Sequence, residues 1–180
     1  EIEKVSVLLE DIMPKGVENW GAEVWAALDI GKVRHPSHLV IFMLDEKGMY
    51  IQLFQKFMDN WDYVKQIDFI KSLQEPYKIK KIYFDATRGE FEGFLETGYI
   101  DKATWRPIIF KGRGEGSNVD MGTNFRRLFE MDRIRLIKND RQIRSICSVT
   151  NDMKSITTDI GHGDAFWSIA MALTHKKSLP

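Results

Sequence analysis

The 180-residue sequence predicts an α/β domain with a central mixed sheet of about five strands, three antiparallel and then two parallel, and helices on both faces. Apolar runs of strand length come first, strands then alternate with helical spacing, and helical segments close the chain. Composition agrees, with 43% hydrophobic and 29% charged residues inside the ordinary globular range. A chain of this length buries about 70% of its unfolded surface, so its core requires no disulfide or structural metal. No apolar run approaches the roughly 20 residues of a bilayer span. The single Cys147 has no intrachain partner and reads as a small buried hydrophobe in a cytosolic protein.

Taken in order, residues 1–12 carry Ile2, Val5, Leu8, Leu9 and Ile12 at helical spacing, and residues 1–22 read as a lead-in or linker helix before a domain over 23–180. Residues 24–30 (VWAALDI) are apolar up to Asp29, as in a strand covered on both faces. Residues 39–44 and 49–57 form two further strands around the turn Asp45-Glu46-Lys47-Gly48, completing a meander. A helical stripe over 62–75 is expected to stop at Pro76. Residues 79–84 form a fourth strand ending at Asp85, residues 90–97 a short helix, and residues 105–110 a fifth strand. The glycine-rich stretch 111–118 reads as a loop. Helices follow over 119–131 and 139–148 with a possible short strand at 134–137 between them, and a last helix starts near Asp164.

Chemistry is expected where apolar elements end in an acid. Asp29 closes the first strand, Asp85 the fourth, and Asp164 opens the last helix. Ligands of open α/β sheets bind beyond the carboxyl ends of strands where strand order reverses, and the first and fourth strands are neighbours at that point if the meander lies to one side. Three carboxylates gathered there repel one another unless a cation intervenes, and hard oxygen donors suit Mg²⁺ or Mn²⁺. Two such ions roughly 3.5–4 Å apart hydrolyse phosphodiesters. The plainer reading makes Asp29 and Asp85 turn formers and Asp164 a helix N-cap. His35 and His38 have H-x-x-H spacing, but Pro36 between them and the lack of a nearby Cys argue against zinc.

Zero net charge conceals an asymmetry. Residues 1–100 hold 12 basic against 17 acidic residues, net −5, and residues 101–180 hold 14 against 9, net +5. Lys111, Arg113, Arg126, Arg127, Arg133 and Arg135 lie in the basic part and are candidate phosphate contacts. The competing reading is a solvated helix face with pairs such as Arg126 and Glu130.

Three segments, LDIGKVRHPSHLVIF, KIYFDATRGEFEGFL and IGHGDAFWSIAMAL, together resemble the nuclease domain of the large terminase subunit of tailed bacteriophages, which has a ribonuclease H-like fold. NFRRLFEMDRIRLIKNDRQIRSI is similar to the same family's helix, basic strand and helix, so the likeness spans about residues 24–176. The resemblance implies an endonuclease that cuts concatemeric viral double-stranded DNA at the start and end of packaging, in the cytoplasm of an infected bacterium. It implies Asp29, Asp85 and Asp164 as catalytic acids holding two Mg²⁺ or Mn²⁺ ions, with His162 a further candidate ligand or proton relay. Its implied partners are DNA, an ATPase motor domain whose phosphate-loop motif this chain lacks, the portal protein and the small terminase subunit, with no membrane. Arg88, where many relatives have a small residue, and Gly163, where an acid is common, depart from the family pattern. The alternatives are an actin-like or sugar-kinase-like ATP-binding domain, suggested by Leu28-Asp29-Ile30-Gly31, and an inactive ribonuclease H-like DNA-binding module.

Overall fold

The computed structural model describes residues 23–31, 35–110, 117–150, 153 and 163–175. The expected helix over 1–12, Lys111, Arg113 and His162 lie outside the described residues. Six strands form one sheet among those described: β1 (Glu23–Asp29), β2 (Ser37–Leu44), β3 (Tyr50–Met58), β4 (Ile79–Asp85), β5 (Trp105–Ile108) and β6 (Ile134–Arg135). Their spatial order is β5-β4-β1-β2-β3-β6. β1, β2 and β3 are antiparallel, β4 lies parallel to β1 and β5 parallel to β4, as expected. The short strand expected at 134–137 is β6, two residues parallel to the start of β3. It is held by side-chain amides from distant elements. Gln52 and Gln142 exchange hydrogen bonds of 2.7 and 2.9 Å, and Gln52 Oε1 also accepts from the Ile137 amide.

The helices are α1 (Tyr63–Tyr77), α2 (Glu92–Glu96), α3 (Asn118–Glu130), α4 (Asp140–Cys147) and α5 (Asp164–His175). Alternation along β1 sends Trp25 and Ala27 to one face, where α3, α4 and α5 cover them, and Val24, Ala26 and Leu28 to the other, where α1 and Phe91 do. α5 lies between the sheet and the outer helices, so its side chains are buried from Ala165 through Leu173. Small residues at Ala165, Ala170 and Ala172 allow close approach, and the buried Trp25 indole donates to the Ala172 carbonyl at 2.9 Å.

Two local expectations are corrected. Pro76 does not end α1, which continues to Tyr77. Near a helix C-terminus a proline forfeits one hydrogen bond, and burial of Tyr77 against Phe54 outweighs that loss. The helix stops one residue later, where Lys78 takes the left-handed conformation (φ 54°). Cys147 is exposed, not buried. α4 turns Gln142, Ser145 and Ile146 inward, and the residue after Ile146 falls on the solvent side.

Candidate functional site

Parallel pairing of Leu28 with Phe84 places the next residues, Asp29 and Asp85, side by side at the ends of neighbouring strands, about 4.8 Å apart across the ladder. Leu28 and Phe84 face α1, so pleat alternation turns both acids toward α5, whose first residue is Asp164. Asp29, Asp85 and Asp164 retain only 9%, 9% and 7% of their surface. Burial pushes the Asp29 carboxyl well above the ordinary range, and the charges of Asp164 and Asp85 push it further. The three predicted acids therefore share one electrostatic site, at the switch point of the sheet.

Each acid also has a structural setting. Asp85 Oδ1 accepts from the Thr87 amide at 2.9 Å, so the turn-forming reading holds for it as well. Thr87 Oγ1 in turn accepts from the Phe110 amide, tying the end of β4 to the chain beyond β5. Asp164 is not the N-cap. Gly163 (φ 74°) precedes it and its carbonyl accepts from Trp167, while Ser145 Oγ on α4 accepts from the Ala165 amide at 3.0 Å. That capping oxygen comes from another helix, 20 residues earlier in the chain, where local pattern gives no hint of it.

Two arginines and a further acid flank the cluster. Arg88 Nη2 donates to the Ile30 carbonyl at 2.8 Å and Arg88 Nε meets Glu90 at 2.8 Å, and this guanidinium partly offsets the repulsion on Asp29 to which Glu90 adds. The departure at position 88 is therefore a counter-charge at the site, and Glu90 is a site acid that sequence reasoning missed. Arg141 lies on the other side, within electrostatic reach of Asp164. It forms a bidentate pair with Asp59 at 2.6 Å for each bond and lies 4.1 Å over the Phe57 ring.

His38, opposite Asp29 in the antiparallel ladder, is a core residue and not half of a zinc pair. Its ring bonds Ser168 Oγ at 2.6 Å and Gln55 Oε1 at 2.9 Å. Burial lowers its pKa to about 4, with the nearby Arg141 charge acting in the same direction, so at neutral pH it is uncharged. Gly31, next along the chain from β1, is packed so closely that an added Cβ would meet the carbonyl oxygens of His35 and Pro36 at 2.3 Å. Its amide donates to Ser37 Oγ at 3.0 Å and so is not presented to a phosphate, which removes a feature the ATP-binding alternative requires.

The described candidate phosphate contacts, Arg126, Arg127, Arg133 and Arg135, do not gather at the acids. β6 pairs with the Tyr50 end of β3, whereas the acids align with its Phe57 end, so Arg133 and Arg135 lie about seven residues or roughly 23 Å away along the strand direction. Arg133 Nη1 donates to the Lys47 carbonyl at the hairpin, and Arg135 pairs with Asp132 at 2.6 Å. α3 runs toward that same end, with Arg126 paired to Glu130 at 2.9 Å and Arg127 bonded to Asn124.

The acids supply hard oxygen donors at one buried place, the ligand type that Mg²⁺ and Mn²⁺ take. Among the described residues no group of three or more His, Cys, Asp or Glu side chains is arranged to hold an ion as they stand. Mutual repulsion and the Thr87 bond on Asp85 act against such closure in the absence of a cation. The site fits a divalent ion in donor type and position, and an ion there would draw the carboxylates in.

No protein-family model and no curated protein matches the sequence. The fold does match solved structures. The large terminase nuclease from thermophilic phage G20c superposes with a TM-score of 0.72 at 17% identity, over 97% of this chain and 95% of that one. The large terminase nuclease domain of bacteriophage SPP1, with bound Mn, gives 0.64 at 14% identity, over 98% of both chains. The large terminase of bacteriophage HK97 gives 0.63 at 16% identity, over 95% of this chain but 44% of that protein. The G20c nuclease is also known with bound magnesium and with bound zinc. The chain thus has the ribonuclease H-like fold of phage terminase nuclease domains. Among the described residues no helix is long and apolar enough to cross a membrane.

Proposed function

We propose that this chain is a metal-dependent endonuclease domain of a phage large terminase, cutting double-stranded viral DNA during genome packaging. The observation that carries this reading is the convergence of Asp29, Asp85 and Asp164 at the switch point of a sheet whose fold matches terminase nucleases over nearly its whole length. In this reading the three aspartates hold two divalent ions, Mg²⁺ or Mn²⁺, as bound Mg and Mn in the matching structures support. Such ions, when bound, stabilise the attacking and leaving oxygens of phosphodiester hydrolysis. His162 remains a candidate ligand outside the described residues.

The chain's own residues do the rest. Asp29 and Asp85 are oriented by a rigid parallel ladder, and Asp164 by a helix buried on all sides. Arg88 lessens the repulsion while the acids are bare and reaches the same region as an incoming phosphate. Duplex DNA rises 3.4 Å per base pair, so the roughly 23 Å from the acids to Arg133 and Arg135 spans about seven base pairs. One duplex can therefore meet the acids at its scissile phosphate and Arg126, Arg127, Arg133 and Arg135 at flanking phosphates. The ATPase motor, portal protein and small subunit, and action in the host cytoplasm, belong to the same proposal.

Plasmid cleavage tests it. Wild-type protein with Mn²⁺ is expected to nick and linearise supercoiled DNA, and Asp85→Asn to be inactive. Cleavage by the variant at the wild-type rate rejects the assignment. Replacing Arg126 and Arg127 together by Glu should weaken DNA binding and flatten its salt dependence, and an unchanged slope would move the duplex to another surface.

A further inference from the structure

His38 joins two of the acid-bearing elements. In the antiparallel ladder it is the direct partner of Asp29, so its ring rises from the same face of the sheet, with the two Cβ atoms about 4.5–5.5 Å apart. The ring is fully buried and meets Ser168 Oγ on α5 at 2.6 Å. Ser168 lies four residues after Asp164, one turn along the same stripe of that helix. A single imidazole thus connects the strand beside Asp29 to the helix that opens with Asp164.

The connection is directional because the other ring nitrogen is already committed. Nε2 faces the acceptor Gln55 Oε1 at 2.9 Å and therefore carries the ring proton. In the neutral ring Nδ1 is then an acceptor, and the Ser168 hydroxyl donates to it. The alternative acceptor for that hydroxyl, the Ala165 carbonyl of the same helix, is farther away at 3.1 Å. Phe57, two residues beyond Gln55 on β3, packs on the imidazole with ring centroids 4.3 Å apart and holds its plane.

α5 otherwise packs largely through apolar side chains such as Ala165, Ile169 and Ala172, and apolar packing is non-directional, so small slides and rotations of the helix are cheap. A catalytic constellation needs its groups held within about 0.5 Å. Among the described residues three polar bonds from other elements pin α5: Ser145 Oγ at the Ala165 amide, His38 at Ser168, and the Trp25 indole at the Ala172 carbonyl. The first comes from another helix and the third is attached two turns beyond the acid. His38 is therefore the sheet-borne bond nearest Asp164.

We propose that His38 is a positioning residue for the acid site, setting the separation of Asp29 and Asp164 through its bond to Ser168. The proposal rests on the metal-nuclease reading of the acids and adds to it a residue that acts through α5.

Two substitutions separate this role from the filling of a core position. Asn sets its amide near the place of Nδ1 and keeps a partner for Ser168, whereas Gln reaches the place of Nε2, keeps Gln55 and gives up Ser168. Core filling favours Gln, the larger side chain, and positioning favours Asn. Mn²⁺ affinity by electron paramagnetic resonance, kcat and KM for plasmid cleavage in Mn²⁺, and urea unfolding are measured on wild type, His38→Asn, His38→Gln and Ser168→Ala. His38→Gln and Ser168→Ala are expected to lose about tenfold in both Mn²⁺ affinity and kcat, the low end of the loss when a ligand's support is removed, with KM for DNA within about twofold. His38→Asn is expected to stay within about threefold of wild type. If the His38 variants fail to fold, Ser168→Ala decides from the helix side. Wild-type Mn²⁺ affinity and kcat in folded Ser168→Ala or His38→Gln protein overturns the proposal, as does equal impairment of folded His38→Asn and His38→Gln. Wild-type protein that binds Mn²⁺ but leaves plasmid intact rejects the nuclease reading alone, and the affinity series still decides the role of His38. Wild-type protein that binds no Mn²⁺ overturns both.

Discussion

The two ends of the sheet use charge in opposite ways. At the hairpin end, Arg126–Glu130 and Arg135–Asp132 are local pairs with exposed partners, Glu130 and Asp132 being more than 60% open to solvent. Surface pairs of this type contribute between nothing and about 1 kcal/mol each. At the other end, Asp29, Asp85 and Asp164 are buried together, with Glu90 adding like charge and Arg88 only partly offsetting it. A fold retains such an arrangement at a cost in stability, and strongly perturbed buried acids cluster at functional sites. The same residue types are thus neutral decoration at one end and stored electrostatic strain at the other.

The sharpest way to break this contrast is to neutralise one acid. Asp29→Asn is expected to lower Mn²⁺-dependent cleavage on the order of 10²–10³-fold or more, while Arg135→Ala leaves the rate within about tenfold. The same Asn should stabilise the metal-free protein at neutral pH. Because the folded-state pKa of Asp29 lies above its unfolded value, the native state holds a proton that the unfolded chain releases. Stability therefore falls as pH rises above about 3.8 through the raised value. The gain from Asp29→Asn should be largest above that window and vanish near pH 4, as thermal melts across pH would show.

His38 gives the opposite sign. Its folded pKa of about 4 lies below the unfolded 6.5, so stability is lost as pH falls from 6.5 to 4, by up to roughly 3 kcal/mol. His38→Gln should flatten that limb of a urea-unfolding series. Gly31→Ala forces a Cβ against two backbone carbonyls and should cost about 1–3 kcal/mol in the same assay. Arg126→Ala, at the exposed end, should change stability by no more than about 0.5 kcal/mol.

Legibility in the sequence follows the same division. Asp29 and Asp85 stand out because an apolar run ending in an acid is a local signal, and strand order then brings them together. Asp164 is legible by position, but the competing N-cap reading fails because the capping oxygen is Ser145 Oγ, which only the fold brings to the start of α5. The pairing of Arg88 with Glu90 has no local signature, because it is the turn between β4 and α2 that sets Arg88 against the Ile30 carbonyl. Arg133 and Arg135 belong to the basic segment by linear count, which carries no information about the end of the sheet they occupy. β6 rests on Gln52 and Gln142, 90 residues apart, and no local pattern reports such a contact.

The measurement closest to the central claim is a Mn²⁺ titration followed by electron paramagnetic resonance, on wild-type protein and on Asp29→Asn. Saturable Mn²⁺ binding by the wild type, weakened at least about tenfold in the variant, is the expected result. Equal binding by both proteins, or none by the wild type, would contradict a metal site built on Asp29, Asp85 and Asp164.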